Sequence, residues 1–146
     1  MPSIRRSKVI SYTPVQMYTL VNDVESYAQF IPHCSESHVI SCVRDEIHAK
    51  LAFSRGGLHK SFETINRAQP HKMIEIRLVS GPFKRLEGFW KFEGMENGAC
   101  RVSLDLEFEF ASRLLAIMFG PFFNQVASML VESFCKRADA IYGKKI

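Results

Sequence analysis

What the chain lacks narrows its chemistry first. None of its four cysteines forms a CxxC pair and nothing resembles a disulfide framework, so Cys34, Cys42, Cys100 and Cys135 read as free thiols of a reducing compartment. No apolar run approaches the roughly 18 residues needed to cross a bilayer. The opening Met1-Pro2-Ser3-Ile4-Arg5-Arg6 has no hydrophobic signal core, which points to a cytoplasmic protein. There is no phosphate-cradling P-loop and no dinucleotide glycine fingerprint, and Gly56-Gly57 alone is a hairpin turn. His33, His38, His48, His59 and His71 sit in no motif that joins a nucleophile to a base and an acidic orienter, so no catalytic residue is assigned and the chain reads as a non-enzyme. His33, Cys34, His38 and Cys42 lie close in sequence, but their spacing matches no common zinc pattern. An alternating strand would place Cys34, His38 and Cys42 on one face and leave His33 out, so no metal ligand is assigned either. Internal repeats, linkers and low-complexity segments are absent as well.

Charge of one sign is in modest excess. A net charge of +4 suits an anionic membrane surface or RNA and demands neither. Basic residues gather locally at Arg5-Arg6-Lys8, Arg55-His59-Lys60 and Lys84-Arg85. Such clusters serve equally as a solvated surface or as contacts to rRNA phosphates. The aromatic interleaving typical of single-strand RNA platforms is missing from them.

What remains is the signature of a folded protein. At 47% hydrophobic and 23% charged residues over 146 positions, the chain is expected to form one domain, residues 1–146, with a sizeable core. The clearest pattern runs from Cys100 to Phe110. Cys100, Val102, Leu104, Leu106, Phe108 and Phe110 alternate with Arg101, Ser103, Asp105, Glu107 and Glu109, which predicts a long strand with one dry and one wet face.

Upstream, residues 3–11 predict a first strand. Thr13, Pro14 and Gln16 then supply an N-cap, a first helical position and a reciprocal capping-box partner, with Tyr12 and Met17 placed for a hydrophobic staple. Asn22-Asp23 starts a second short helix that Pro32 ends. Strand after strand follows. Ile47, Ala49, Leu51 and Phe53 share a face; residues 60–68 return; Ile74, Ile76 and Leu78 share a face; so do Leu86, Gly88, Trp90 and Phe92. Asn97-Gly98 predicts a type I′ hairpin turn. Strands at this spacing make an antiparallel meander.

Ser112 caps a terminal helix that Gly120-Pro121 is expected to kink or break, because Pro121 has no amide proton and its ring crowds the carbonyl of Ile117. Leu115, Phe119, Phe122, Val126, Met129 and Ser133 trace one face of that helix. Leu114, Ile117, Met118, Phe123 and Leu130 widen the apolar surface beyond one stripe.

Several strings resemble a known family. Val21-Asn22-Asp23-Val24-Glu25-Ser26-Tyr27 and Phe30-Ile31-Pro32-His33-Cys34 are similar to the N-terminal signature of the coenzyme Q-binding START-like proteins. That family includes ribosome-association toxins of the RatA type and belongs to the polyketide cyclase/dehydrase and lipid transport superfamily. Gly81-Pro82-Phe83 with Leu86, Gly88, Trp90 and Phe92 resembles their central block. Cys135-Lys136-Arg137-Ala138 and Tyr142-Gly143 resemble their ending. His33 stands where many relatives carry Trp.

The resemblance implies an α+β helix-grip (START/Bet v 1-like) fold, a curved antiparallel sheet wrapped around a long C-terminal helix. It implies either a ubiquinone or other isoprenoid lipid as bound ligand in a respiratory carrier or chaperone, or a factor that binds the large ribosomal subunit and blocks subunit joining. It gives no further cofactor.

The strand faces and the helix stripe together nominate a ligand-binding set: Leu51, Phe53, Phe62, Ile74, Ile76, Leu78, Phe83, Leu86, Trp90, Leu104, Leu106, Phe108, Leu115, Phe119, Phe122, Val126 and Met129. These side chains also suit a filled core. The tilt towards a cavity comes from apolar helix surface in excess of what one sheet face covers, and from a curved meander that one helix of about 10 Å diameter does not fill. A mouth is expected where the Gly81-Pro82-Phe83 corner meets Gly120-Pro121, with Lys84 and Arg85 facing headgroups on the inner membrane. No oligomeric state is readable.

Overall fold

The computed structural model describes residues 3–143. The chain begins with β1 (Ser3–Ile10) and α1 (Pro14–Asn22), followed by a short 3-10 turn over Val24–Gln29. Then come β2 (Cys34–Val43), β3 (Glu46–Arg55), β4 (Leu58–Gln69), β5 (Met73–Ser80), β6 (Phe83–Gly94) and β7 (Cys100–Phe110). It closes with α2 (Arg113–Ser128) and α3 (Leu130–Tyr142). The seven strands form one antiparallel sheet in the order β1-β7-β6-β5-β4-β3-β2. Consecutive strands β2 to β7 make the meander, and β1 joins it beside β7. Curved over α2 and α3, this sheet is the helix-grip arrangement.

Local chemistry accounts for most element ends. At α1 the Gln16 backbone N–H donates to Thr13 Oγ1 (3.1 Å) while the Thr13 N–H donates to Gln16 Oε1 (2.9 Å). Two orphan donors are thereby satisfied reciprocally, with Pro14 at the first helical position. Tyr12 leans on the Tyr142 ring (5.7 Å) and donates to Asp139 Oδ1 (2.8 Å), tying the entry of α1 to α3. At the β6–β7 connection Asn97 (φ 61°) and Gly98 (φ 76°) both take left-handed conformations, and the Ala99 N–H returns to the Glu96 carbonyl (3.2 Å). This is the type I′ turn that the Asn-Gly pair favours.

Along β7 burial alternates residue by residue, with Cys100, Val102, Leu104, Leu106, Phe108 and Phe110 inward. Facing it, Gly88 of β6 allows a close approach. A Cβ there would lie 2.2 Å from the Asp105 carbonyl oxygen and 2.8 Å from the Leu106 Cα.

Two sequence expectations are corrected. The terminal helix passes through Gly120-Pro121 without a break and divides instead at Met129, where α2 and α3 meet at 42°. Pro121 is tolerated because the carbonyl it leaves unpaired belongs to exposed Ile117, where water can reach it. At Met129 the Ser128 hydroxyl bonds back to the Asn124 carbonyl (2.7 Å), and the Met129 N–H tightens onto Val126 (3.1 Å). Back-bonding of that kind loosens the helical ladder.

In β2, bulges between Cys34 and Glu36 and between Val39 and Ser41 break the alternation. Cys34 and Ser37 turn inward while His38 and Cys42 are exposed, so Cys34, His38 and Cys42 do not share a face. On the outer face of the sheet, Arg85 is paired with Glu87 (2.8 Å) and Glu107 (2.9 Å).

Candidate functional site

The helices sit over one side of the sheet. The backbones of α2 and α3 approach β1 and β7, and α3 also packs on α1. The β3–β5 half of the sheet faces the helices mainly through its inward side chains. Between the two lies a cavity of about 80 Å³. Its walls come from the inner faces of β3 (Leu51, Phe53), β4 (Phe62, Thr64, Asn66), β5 (Ile74, Ile76), β6 (Leu86, Trp90) and β7 (Leu106). The helices add Phe123, Val126, Ala127, Leu130 and Phe134, and Tyr27 and Ile31 close the end. The lining residues that keep solvent-accessible surface are Leu51, Asn66, Ile76 and Leu130. Leu130 directly follows the Met129 break, so the bend between α2 and α3 borders the cavity.

Of the residues nominated from sequence, Leu51, Phe53, Phe62, Ile74, Ile76, Leu86, Trp90, Leu106 and Val126 are brought together in this lining. Phe83, Phe108, Phe119 and Phe122 are placed elsewhere. They belong to a solid aromatic cluster with Phe110 and Phe123, in which ring centroids lie 4.9 Å apart for Phe83–Phe123 and for Phe108–Phe123. Phe62 and Phe123 are the partition between this cluster and the cavity. The corner at Gly81-Pro82 and the helix at Pro121 thus flank filled core. Leu104 is fully buried and Leu115 half-buried, both outside the lining, and Met129 is exposed at the bend. Leu78 lies where β5 and β6 part beyond Arg77–Glu87.

Sequence reasoning missed Tyr27, Ile31, Thr64, Asn66, Phe123, Ala127, Leu130 and Phe134. A signal for two of these existed. Thr64 and Asn66 continue the inward alternation of Phe62, so polar residues stand at positions where a filled core would carry apolar ones. The Thr64 hydroxyl donates to Asn66 Oδ1 (2.9 Å), which among the described residues leaves the Asn66 amide N–H donors uncommitted.

Tyr27 is the only titratable lining residue. Its hydroxyl donates to the Val21 carbonyl, and burial pushes its phenol well above the ordinary value. The site is a largely apolar hollow with a paired hydroxyl and amide at one wall. It can enclose a slender apolar group and offer an N–H to a carbonyl.

Outside the cavity, carboxylates meet most of the sheet's basic residues. Arg5 pairs with Asp105 (3.3 Å), Lys8 with Glu132 (3.3 Å), Lys84 with Glu109 (3.9 Å) and Arg67 with Glu46 (2.9 Å). Arg55 instead donates to Gln125 Oε1 (3.0 Å) and covers the Phe122 ring. Among the described residues, no group of three or more His, Cys, Asp or Glu side chains comes together as a metal site. No single described helix is long and apolar enough to cross a membrane.

The family model described as polyketide cyclase / dehydrase and lipid transport matches residues 10–135. A relative from Escherichia coli K12, the ribosome association toxin RatA, is 39% identical over 99% of this chain and 92% of its own length. The mitochondrial coenzyme Q-binding protein COQ10 homolog B of Xenopus laevis is 30% identical over 95% of this chain and 59% of its own length. Among solved structures, an 18 kDa protein of Caulobacter crescentus superposes with a TM-score of 0.75 at 32% identity, covering 99% of this chain and 100% of that one. An aromatase/cyclase from Streptomyces shares the fold, with a TM-score of 0.83 at 10% identity over 99% of both chains.

Proposed function

This chain belongs to the polyketide cyclase / dehydrase and lipid transport family, and on that premise we propose that it encloses an isoprenoid lipid such as ubiquinone and acts as its carrier or chaperone in support of respiration. The observation that carries this reading is the apolar cavity with the Thr64–Asn66 pair in its wall. A non-enzymatic role fits a lining whose one ionisable group, Tyr27, is held in its neutral form. A relative named as a coenzyme Q-binding protein supports the choice of ligand.

The cavity's size defines the mode of binding. At about 80 Å³ it is roughly half the ~150 Å³ hollow known to admit benzene. A branched five-carbon unit is close to benzene in size, so even one unit needs the hollow to widen, and burying that unit contributes roughly 3–4 kcal/mol at about 0.8 per CH₂-sized group. A ring with its tail requires α2 and α3 to swing at Met129 away from β3–β5. The Asn66 N–H donors then meet a ring carbonyl near the opening, and the tail's remaining length lies outside. Such a carrier works in the cytoplasm and at the inner-membrane surface.

The test is organic extraction of the purified protein followed by mass spectrometry, for the wild type and for Ala127→Leu, which fills the cavity from the helix side. The wild type is expected to yield a near-stoichiometric isoprenoid and the variant none. An empty wild type, or equal yield from both, refutes the reading.

A second reading is favoured by the RatA relative, which spans nearly the whole chain: association with the large ribosomal subunit through the basic exterior. Among the described residues of the three basic clusters, carboxylate pairing leaves Arg6, Arg55 and Lys60 as the better-placed cations for phosphate contacts. Co-sedimentation with large subunits that falls steeply with salt supports this alternative.

A further inference from the structure

We infer that Leu114, Ile117 and Met118, exposed on the first turns of α2, form a bilayer-docking ridge that seats the protein on anionic lipid headgroups. The inference extends the carrier reading by naming the surface from which an apolar ligand is collected.

The argument starts from the two sides of α2. One side is spent on the core through Phe119, Phe122, Phe123, Val126 and Ala127. On the other, Leu114, Ile117 and Met118 are 64%, 65% and 54% exposed, and Pro121 beyond them is exposed too. Positions i, i+3, i+4 and i+7 lie along one stripe of a helix. Single exposed apolar residues need no explanation; a contiguous stripe of long ones does.

The charges around the stripe choose its occupant. Arg113, at the start of α2, is the only charged residue in that helix. At the far end Arg55 reaches across to Gln125. Among the described residues neither guanidinium has a carboxylate partner, whereas Arg5, Arg67, Arg77, Lys84 and Arg85 all do. An uncharged apolar ridge framed by unmatched cations is the pattern of a helix lying in a membrane interface. A protein partner or a second copy needs roughly 800 Å² from each side for a stable contact, and three side chains on a helix shoulder do not supply it. A bilayer needs only a few apolar side chains below its headgroups.

Flotation with vesicles tests this, using the full-length protein with phosphatidylcholine vesicles, with and without added phosphatidylglycerol. The wild type is expected to float with the anionic vesicles, less with the neutral ones, and less again as salt is raised. The double variant Ile117→Asp, Met118→Asp is expected to lose about tenfold or more in vesicle partition, with an unchanged melting temperature because both sites are exposed. Arg113→Glu is expected to weaken binding to the anionic vesicles alone. The cavity variant Ala127→Leu should float like the wild type, which separates failure of docking from failure of ligand enclosure. A wild type that never floats, a double variant that floats undiminished, or a dimer in analytical ultracentrifugation that the double variant dissolves would each overturn the proposal. The last result would give the ridge to a second copy.

Discussion

Asn66 and Thr64 carry the sharpest expectation at the scale of single residues. A buried hydrogen-bonding site discriminates mainly because leaving its groups unpaired is costly. Asn66→Leu should therefore weaken binding of a carbonyl-bearing isoprenoid by about tenfold, roughly 1.4 kcal/mol, while leaving a plain hydrocarbon tail unaffected. A competition assay with the two ligands measures the difference.

The thiols give a second expectation. Cys42 is exposed, while Cys34, Cys100 and Cys135 are buried, and burial pushes the Cys34 and Cys100 thiols up to about 11. With a thiol-reactive chromogen at mild pH, one group should react at once and three only on unfolding. Rapid loss of more than one would contradict the burial.

At this scale the sequence was most legible where periodicity decides. The inward residues of β7 were identified as a set. Thr64 and Asn66 were not, because a search for apolar side chains passes over the polar ones that give a greasy site its selectivity. Phe83, Phe108 and Phe119 could not be separated from cavity-lining aromatics, since alternation tells which face a ring occupies and not whether another ring fills the space before it.

Elements were predictable to the extent that their ends carry local signals. The capping box at Thr13–Gln16 and the Asn97-Gly98 turn are encoded within a few residues, and both are formed. The helix break was misplaced because proline is a strong local signal, while the actual break at Met129 depends on a serine hydroxyl and on two helix segments packing the sheet at different angles. The bulges of β2 escaped for the same reason: register slips arise from pairing, not from composition.

Gly88 tests the strand pairing. Gly88→Ala would force its Cβ against the β7 backbone, where no flexible side-chain end can yield. The expected loss is about 3 kcal/mol or more, read as a shift in the urea midpoint. A near-neutral result would mean that β6 and β7 are less closely apposed than described.

For the whole molecule, one contiguous apolar cluster joins the sheet to α1, α2 and α3. We propose on that ground that residues 1–146 fold as one domain, and a single cooperative unfolding transition seen identically by several probes is expected.

The pH dependence of that transition follows from the buried acids. Below about pH 9, the ordinary thiol value, Cys34 and Cys100 are protonated in both the folded and unfolded states and exert no pull. Between about 9 and 11 the unfolded chain releases thiol protons that the folded chain retains, so stability should fall as pH rises across that window. Tyr27, raised in the same sense, adds to the decline. Replacing Cys34 and Cys100 by Ala should flatten the slope in thermal melts, and an unchanged slope would remove these thiols from the account.

Trp90, the one tryptophan of the chain, lies in the cavity wall with its ring 5.2 Å from that of Phe134. Its indole emission thus reports from inside the hollow and from nowhere else in the protein. A redox-active ring entering the cavity should quench that light, and a saturated chain should leave it bright but shifted in colour. Occupancy can be followed optically, with no label and no change to the polypeptide.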